Sequence, residues 1–193
     1  MSKIQKISAY LLVAFNVLLI STPLLIVIQV LFIEAEITDA DVTAAINFFG
    51  LLEKMIQTPE GYVNLSMVPW TPFSNFLRFI SEILGLLPFM LSLLVLKSIF
   101  RNYQKGEIFS TTNAIHYKKL GWLFFIDALI VKSLSHTLMV LAVTLTNPPG
   151  HRYITVHFGT PNLKALFYGV LLIVVSWVML EASKLHDEQK FTI

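Results

Sequence analysis

The chain has 193 residues, 55% of them hydrophobic and 13% charged, with a net charge of +2 and no cysteine. A typical soluble domain is about 25% charged, and a soluble core of this length cannot hide so much apolar surface, so composition points to one helical membrane domain. The lack of cysteine excludes a structural disulfide, a thiolate metal site and a quinone-linked dithiol relay, and the small net charge gives no reason to expect direct nucleic-acid binding.

Four apolar stretches, at about 7–33, 77–100, 120–146 and 163–183, each supply the roughly twenty residues that a helix needs to cross a bilayer. Backbone polar groups in hydrocarbon must be satisfied within the segment, so all four are expected to be helices. The predicted fold is an all-α integral membrane protein, a four-transmembrane-helix bundle forming a single domain over residues 1–193. The first stretch is too long for a signal-peptide core and reads as a retained span. Pro23 and Pro88 lie inside the first and second spans and are expected to kink them.

Charge asymmetry orients the chain. Lys3 and Lys6 precede the first span, and Lys97, Arg101, Lys105, Lys118 and Lys119 crowd the connection between spans two and three. The 34–76 loop is acidic instead, with Glu34, Glu36, Asp39, Asp41, Glu53 and Glu60. Positive residues stay inside, which predicts N-in/C-in, with a cytoplasmic loop at 101–119, a cytoplasmic tail at 184–193 and outer loops at 34–76 and 147–162.

Within the first outer loop, Val42, Ala45, Ile46, Phe49, Leu52 and Ile56 recur at a helical period, predicting an amphipathic helix over 38–57. Residues 62–68 alternate as a strand would, and 152–158 are rich in β-branched and aromatic residues. The two segments are candidates for a two-stranded ribbon that, with the helix, makes a small extracytoplasmic cap. Unpaired loops are the alternative.

The third span holds Asp127, Lys132 and His136, ionisable groups that are expensive at membrane depth and face protein or water rather than lipid. At 100° per residue, Lys132 and His136 share a face, while Asp127 lies about 140° round from Lys132. Glu82 in the second span falls at a depth similar to His136, with Arg78 a competing partner one turn away. Three readings fit: an interhelical packing contact, a proton or substrate pathway, and a snorkelling lysine. The five histidines show no zinc or haem spacing, and no phosphate loop, nucleophile elbow or carboxylate pair stands in a recognisable setting. Neither a cofactor nor a metal is expected, and a non-enzymatic role is favoured.

The connection at 97–121 is patterned rather than loose. Gly106 suits a left-handed helix end, Ser110 or Thr111 a cap for a helix running into the third span, and Phe109 is expected to tuck against the bundle base. The surrounding basic residues match anionic headgroups.

Gly106-Glu107-Ile108-Phe109, with Asn113 following and Gly121 opening the next span, resembles the central signature of a bacterial membrane family, domain of unknown function 2975. The ending Leu185-His186-Asp187-Glu188-Gln189-Lys190-Phe191-Thr192-Ile193 is similar to the family's terminus, and the resemblance is expected over nearly the whole chain. It implies a bacterial inner-membrane protein, often encoded beside a small Cro-like DNA-binding regulator, and carries no catalytic residue. Two signature segments on one membrane face suggest a cytoplasmic platform of Glu107, Phe109, Asn113, Glu188 and Thr192, which either caps the bundle or docks a partner. The leading expectation is therefore a regulatory or partner-binding membrane protein, with membrane lipids and a cytoplasmic protein as its partners. Alternatives are a small oligomeric transporter or channel component using Glu82, Asp127, Lys132 and His136, and a lipid- or peptide-binding protein using the outer loops.

Overall fold

The computed structural model describes residues 3–32, 55–156 and 162–191. Within them run α1 (Lys3–Phe32), a hairpin of β1 (Met55–Thr58) and β2 (Gly61–Asn64), α2 (Pro72–Lys105), α3 (Thr111–Ile126), α4 (Lys132–Thr144) and α5 (Leu163–Phe191). A π-helical turn, Asp127–Val131, joins α3 to α4, so Thr111–Thr144 is helical throughout. Four helical segments among the described residues are long and apolar enough to cross a membrane: Lys3–Ile28, Pro72–Lys105, Thr111–Thr144 and Leu163–Gln189. Pro23 lies inside α1 and Pro88 inside α2, and neither proline ends its helix.

The helices extend beyond the apolar stretches because their caps lie in polar sequence. Pro72 suits the first helical turn, where its missing N–H is not needed. At 1.5 Å per residue, a 34-residue α2 is about 51 Å long, well over the ~30 Å hydrocarbon thickness. That length is enough to cross the hydrocarbon with helix to spare at the ends.

The chain forms two compact units. The first comprises Met1–Ser21, Leu87–Leu129 and Thr160–Ile193. In it α3 and α5 meet at Gly121 and Gly169. A Cβ added at Gly121 would lie 2.8 Å from the Gly169 carbonyl oxygen, and one at Gly169 3.0 Å from that of Gly121. Small residues of this kind let membrane helices approach backbone to backbone. The Phe15 ring packs on Phe100 at 5.6 Å, and Phe100 on Tyr103 at 5.6 Å, joining α1 to α2.

The second unit comprises Thr22–Leu86 and Ile130–Gly159. Its core gathers Ile56, Leu65 and Val68 against Met139, Val140 and Val143 of α4, with Trp70 and Tyr153 alongside. Here α2 and α4 cross through a reciprocal pair. Ser81 Oγ donates to the Ser135 carbonyl at 2.7 Å, and Ser135 Oγ to the Ser81 carbonyl at 2.9 Å.

The hairpin corrects two expectations. Strand β2 pairs not with 152–158 but with the segment just before it, in the register Ile56 with Val63 and Thr58 with Gly61. A two-residue Pro59–Glu60 turn closes that pairing with little loop entropy, and Thr58 Oγ1 ties it by donating to the Gly61 carbonyl. Residues 152–156 form no strand, and Tyr153 N–H instead donates to the buried Thr144 Oγ1 at 2.9 Å. The amphipathic helix expected over 38–57 falls mostly outside the described residues, and its last residues, 55–57, are strand rather than helix.

Candidate functional site

The signature turn between α2 and α3 is built from its backbone outwards. Gly106 takes a φ of +88°, the left-handed conformation that glycine adopts without a Cβ penalty. Its N–H donates to Tyr103 O, and the Glu107 N–H reaches back to Asn102 O, both at 3.0 Å, so two last-turn carbonyls of α2 are satisfied. Ser110 then caps α3, its Oγ accepting from the Asn113 N–H at 3.2 Å.

Asn113 is the centre of this arrangement. It is fully buried, and its Nδ2 donates to the carbonyls of Glu107 at 2.7 Å and Ile108 at 3.0 Å. Its Oδ1 accepts from Asn102 Nδ2 at 2.8 Å. One carboxamide therefore fastens the turn to both helices. Nearby, the hydroxyls of Tyr103 and Tyr117 lie 2.8 Å apart, and Thr111 Oγ1 lies 3.4 Å from Ser183 Oγ of α5.

Held this way, the turn presents side chains rather than hiding them. Phe109 is 50% exposed, which corrects the expectation that it tucks beneath the helices. Ser110 and Asn113 direct the chain into α3 immediately after it, leaving the ring outside. Glu107 and Glu188 are exposed too, whereas Asn113 serves the fold from within. Thr192 lies outside the described residues.

The charged candidates of the second and third spans divide between the two units. Glu82, Lys132 and His136 belong to the second, beside the Ser81–Ser135 crossing: Glu82 follows Ser81 and His136 follows Ser135. Glu82 and His136 are half-buried and Lys132 is exposed. Asp127 belongs to the first unit, half-buried at the start of the π turn. That turn also overturns the wheel angle between Asp127 and Lys132. A π turn hydrogen-bonds i to i+5, so the constant 100° per residue does not hold across it.

Arg78 is the feature that sequence reasoning undervalued. It is only 3% exposed, its guanidinium carbon lies 4.9 Å from the centre of the Trp70 ring, and the charge of Glu82 acts on it. Trp70 is itself held by donating from Nε1 to the Leu65 carbonyl at 3.0 Å. An arginine at the mouth of an apolar run eight residues after a tryptophan was the available signal, but the hairpin that orients Trp70 was not.

No curated protein and no solved structure gives a significant match to the chain. The family model described as a protein of unknown function (DUF2975) matches residues 53–193. The match takes in the hairpin, α2 to α5 and both signature segments, while α1 lies outside it, so the likeness is narrower than nearly the whole chain. The chain, matched over well more than half its length, belongs to the DUF2975 family.

Proposed function

We propose that the chain is a non-enzymatic integral protein of the bacterial inner membrane that docks a cytoplasmic protein through Glu107 and Phe109, with Glu188 at the edge of the same platform. The observation that carries this reading is the half-exposed Phe109 on a turn fastened by the buried Asn113. An exposed aromatic on a rigid backbone loses little entropy on binding and makes an efficient anchor. The orientation draws on the basic residues that flank the turn, Arg101, Lys105, Lys118 and Lys119, which favour the cytoplasmic side for it and for both termini.

The test is pull-down of the intact protein from its native membrane, wild type against Phe109→Ala/Glu188→Ala. A partner recovered with wild type should bind the variant about thirtyfold more weakly, the usual consequence of truncating an aromatic hot spot. A cytoplasmic partner held equally well by both proteins would contradict the reading. A second reading, a self-associated transport component, draws support from the buried Arg78 and its neighbour Glu82. Solute flux in vesicles that vanishes with Glu82→Gln would favour it over docking.

A further inference from the structure

Between α2 and α3, within the first unit, lies a groove of about 420 Å³. We propose that it binds an anionic phospholipid, with one acyl chain along its walls and the phosphate at His116 and Lys119. The groove is graded along its length. Ser98, His116 and Lys119 line the end nearer the 106–110 turn, and Leu91 and Ile126 line the other, with Leu94 and Trp122 between. His116 to Ile126 spans ten residues of helix, about 15 Å. That is half of the ~30 Å hydrocarbon core, the depth of one leaflet.

The polar end has an unmet requirement. His116 Nδ1 is buried and has no hydrogen-bond partner. Leaving such a group unsatisfied is unfavourable. A small turn of the imidazole that opens Nδ1–H to the groove lets a phosphate or ester oxygen accept from it and removes the penalty. Lys119, one turn on and exposed, adds an ammonium that strengthens the contact with a negative oxygen. Trp122 is 53% exposed and lines the groove where the walls turn apolar, open to an acyl chain lying there.

These features select the occupant. A free inorganic anion would leave the apolar length unused, and a zwitterionic lipid would bring its own cation towards Lys119. An anionic phospholipid matches both ends. The site is independent of the Glu107–Phe109 docking surface.

The test uses the full-length protein in vesicles, with phosphatidylglycerol or phosphatidylcholine brominated on the acyl chain as quenchers of tryptophan fluorescence. The contribution of Trp122 is the difference between the wild type and Trp122→Phe. Half-quenching of Trp122 should need about fivefold less brominated phosphatidylglycerol than phosphatidylcholine, the preference expected of one basic group near an anionic lipid. His116→Ala/Lys119→Gln should remove that preference and Lys119→Arg should keep it. If the double variant loses helical signal, Lys119→Gln alone, at an exposed position, should still reduce the preference. Equal quenching by the two lipids in wild type would overturn the proposal, as would a preference that survives in the variants. Relief of the quenching by inorganic phosphate would overturn it too, assigning the polar end to a soluble anion.

Discussion

Asn113 illustrates how a signature residue acts without being on display. Its three side-chain hydrogen bonds satisfy the carbonyls of Glu107 and Ile108 and the amide of Asn102. Asn113→Ala leaves all three without that partner, but Glu107 is exposed and Asn102 and Ile108 are half-buried. Water therefore replaces part of the lost bonding, and the total is nearer the cost of one fully buried unmet group, roughly 1–3 kcal/mol. The variant should lose about 2 kcal/mol of stability towards denaturation in detergent. Amide exchange over residues 105–112 should accelerate relative to wild type while exchange in α5 is unchanged. Uniform acceleration in both places would mean that Asn113 supports the whole first unit rather than the turn. The turn's residue types were legible in the sequence, since Gly106, Ser110 and Asn113 each suit the conformations they adopt. The outward placement of Phe109 was not, because burial depends on what α1 and α5 leave uncovered.

The four apolar elements were legible because hydrocarbon admits few backbone solutions, and the Ser110 cap because side-chain capping is local. Two features escaped. The hairpin register depends on a two-residue turn and on the fit of Ile56 against Met139 and Val140, residues more than eighty positions away. The π turn at Asp127–Val131 leaves no mark in hydropathy, yet it resets which residues share a face. Helix crossings give the sharpest prediction at this scale. Gly121→Ala meets a backbone oxygen and Ile173 Cγ1, both at 2.8 Å, so α3 and α5 must separate. Gly85→Ala meets Ser135 Oγ at 3.1 Å and Ser135 Cβ at 3.7 Å, a looser approach to one side chain, although that hydroxyl also donates to the Ser81 carbonyl. Gly121→Ala should cost about 1–3 kcal/mol in thermal unfolding, and Gly85→Ala markedly less. A Gly85→Ala variant that is the less stable of the two would contradict the tight α3–α5 contact.

For the molecule as a whole, the family match over residues 53–193 takes in three of the four candidate spans and both signature segments. It carries no activity with it, so function rests on where the signature turn lies and what it offers. In the proposed reading, charge placement favours the cytoplasm for that turn, and the Asn113 clamp fixes the backbone that carries Phe109. The absence of cysteine makes both points directly measurable, because a single introduced thiol is the only one present.

The decisive measurement is labelling of Phe109→Cys with a membrane-impermeant maleimide, in right-side-out and in inside-out vesicles, with Tyr62→Cys as the reference for the opposite face. The expected result is labelling of Phe109→Cys in inside-out vesicles alone and of Tyr62→Cys in right-side-out vesicles alone. Reaction of Phe109→Cys in right-side-out vesicles, or in neither preparation, would contradict a cytoplasmic docking turn.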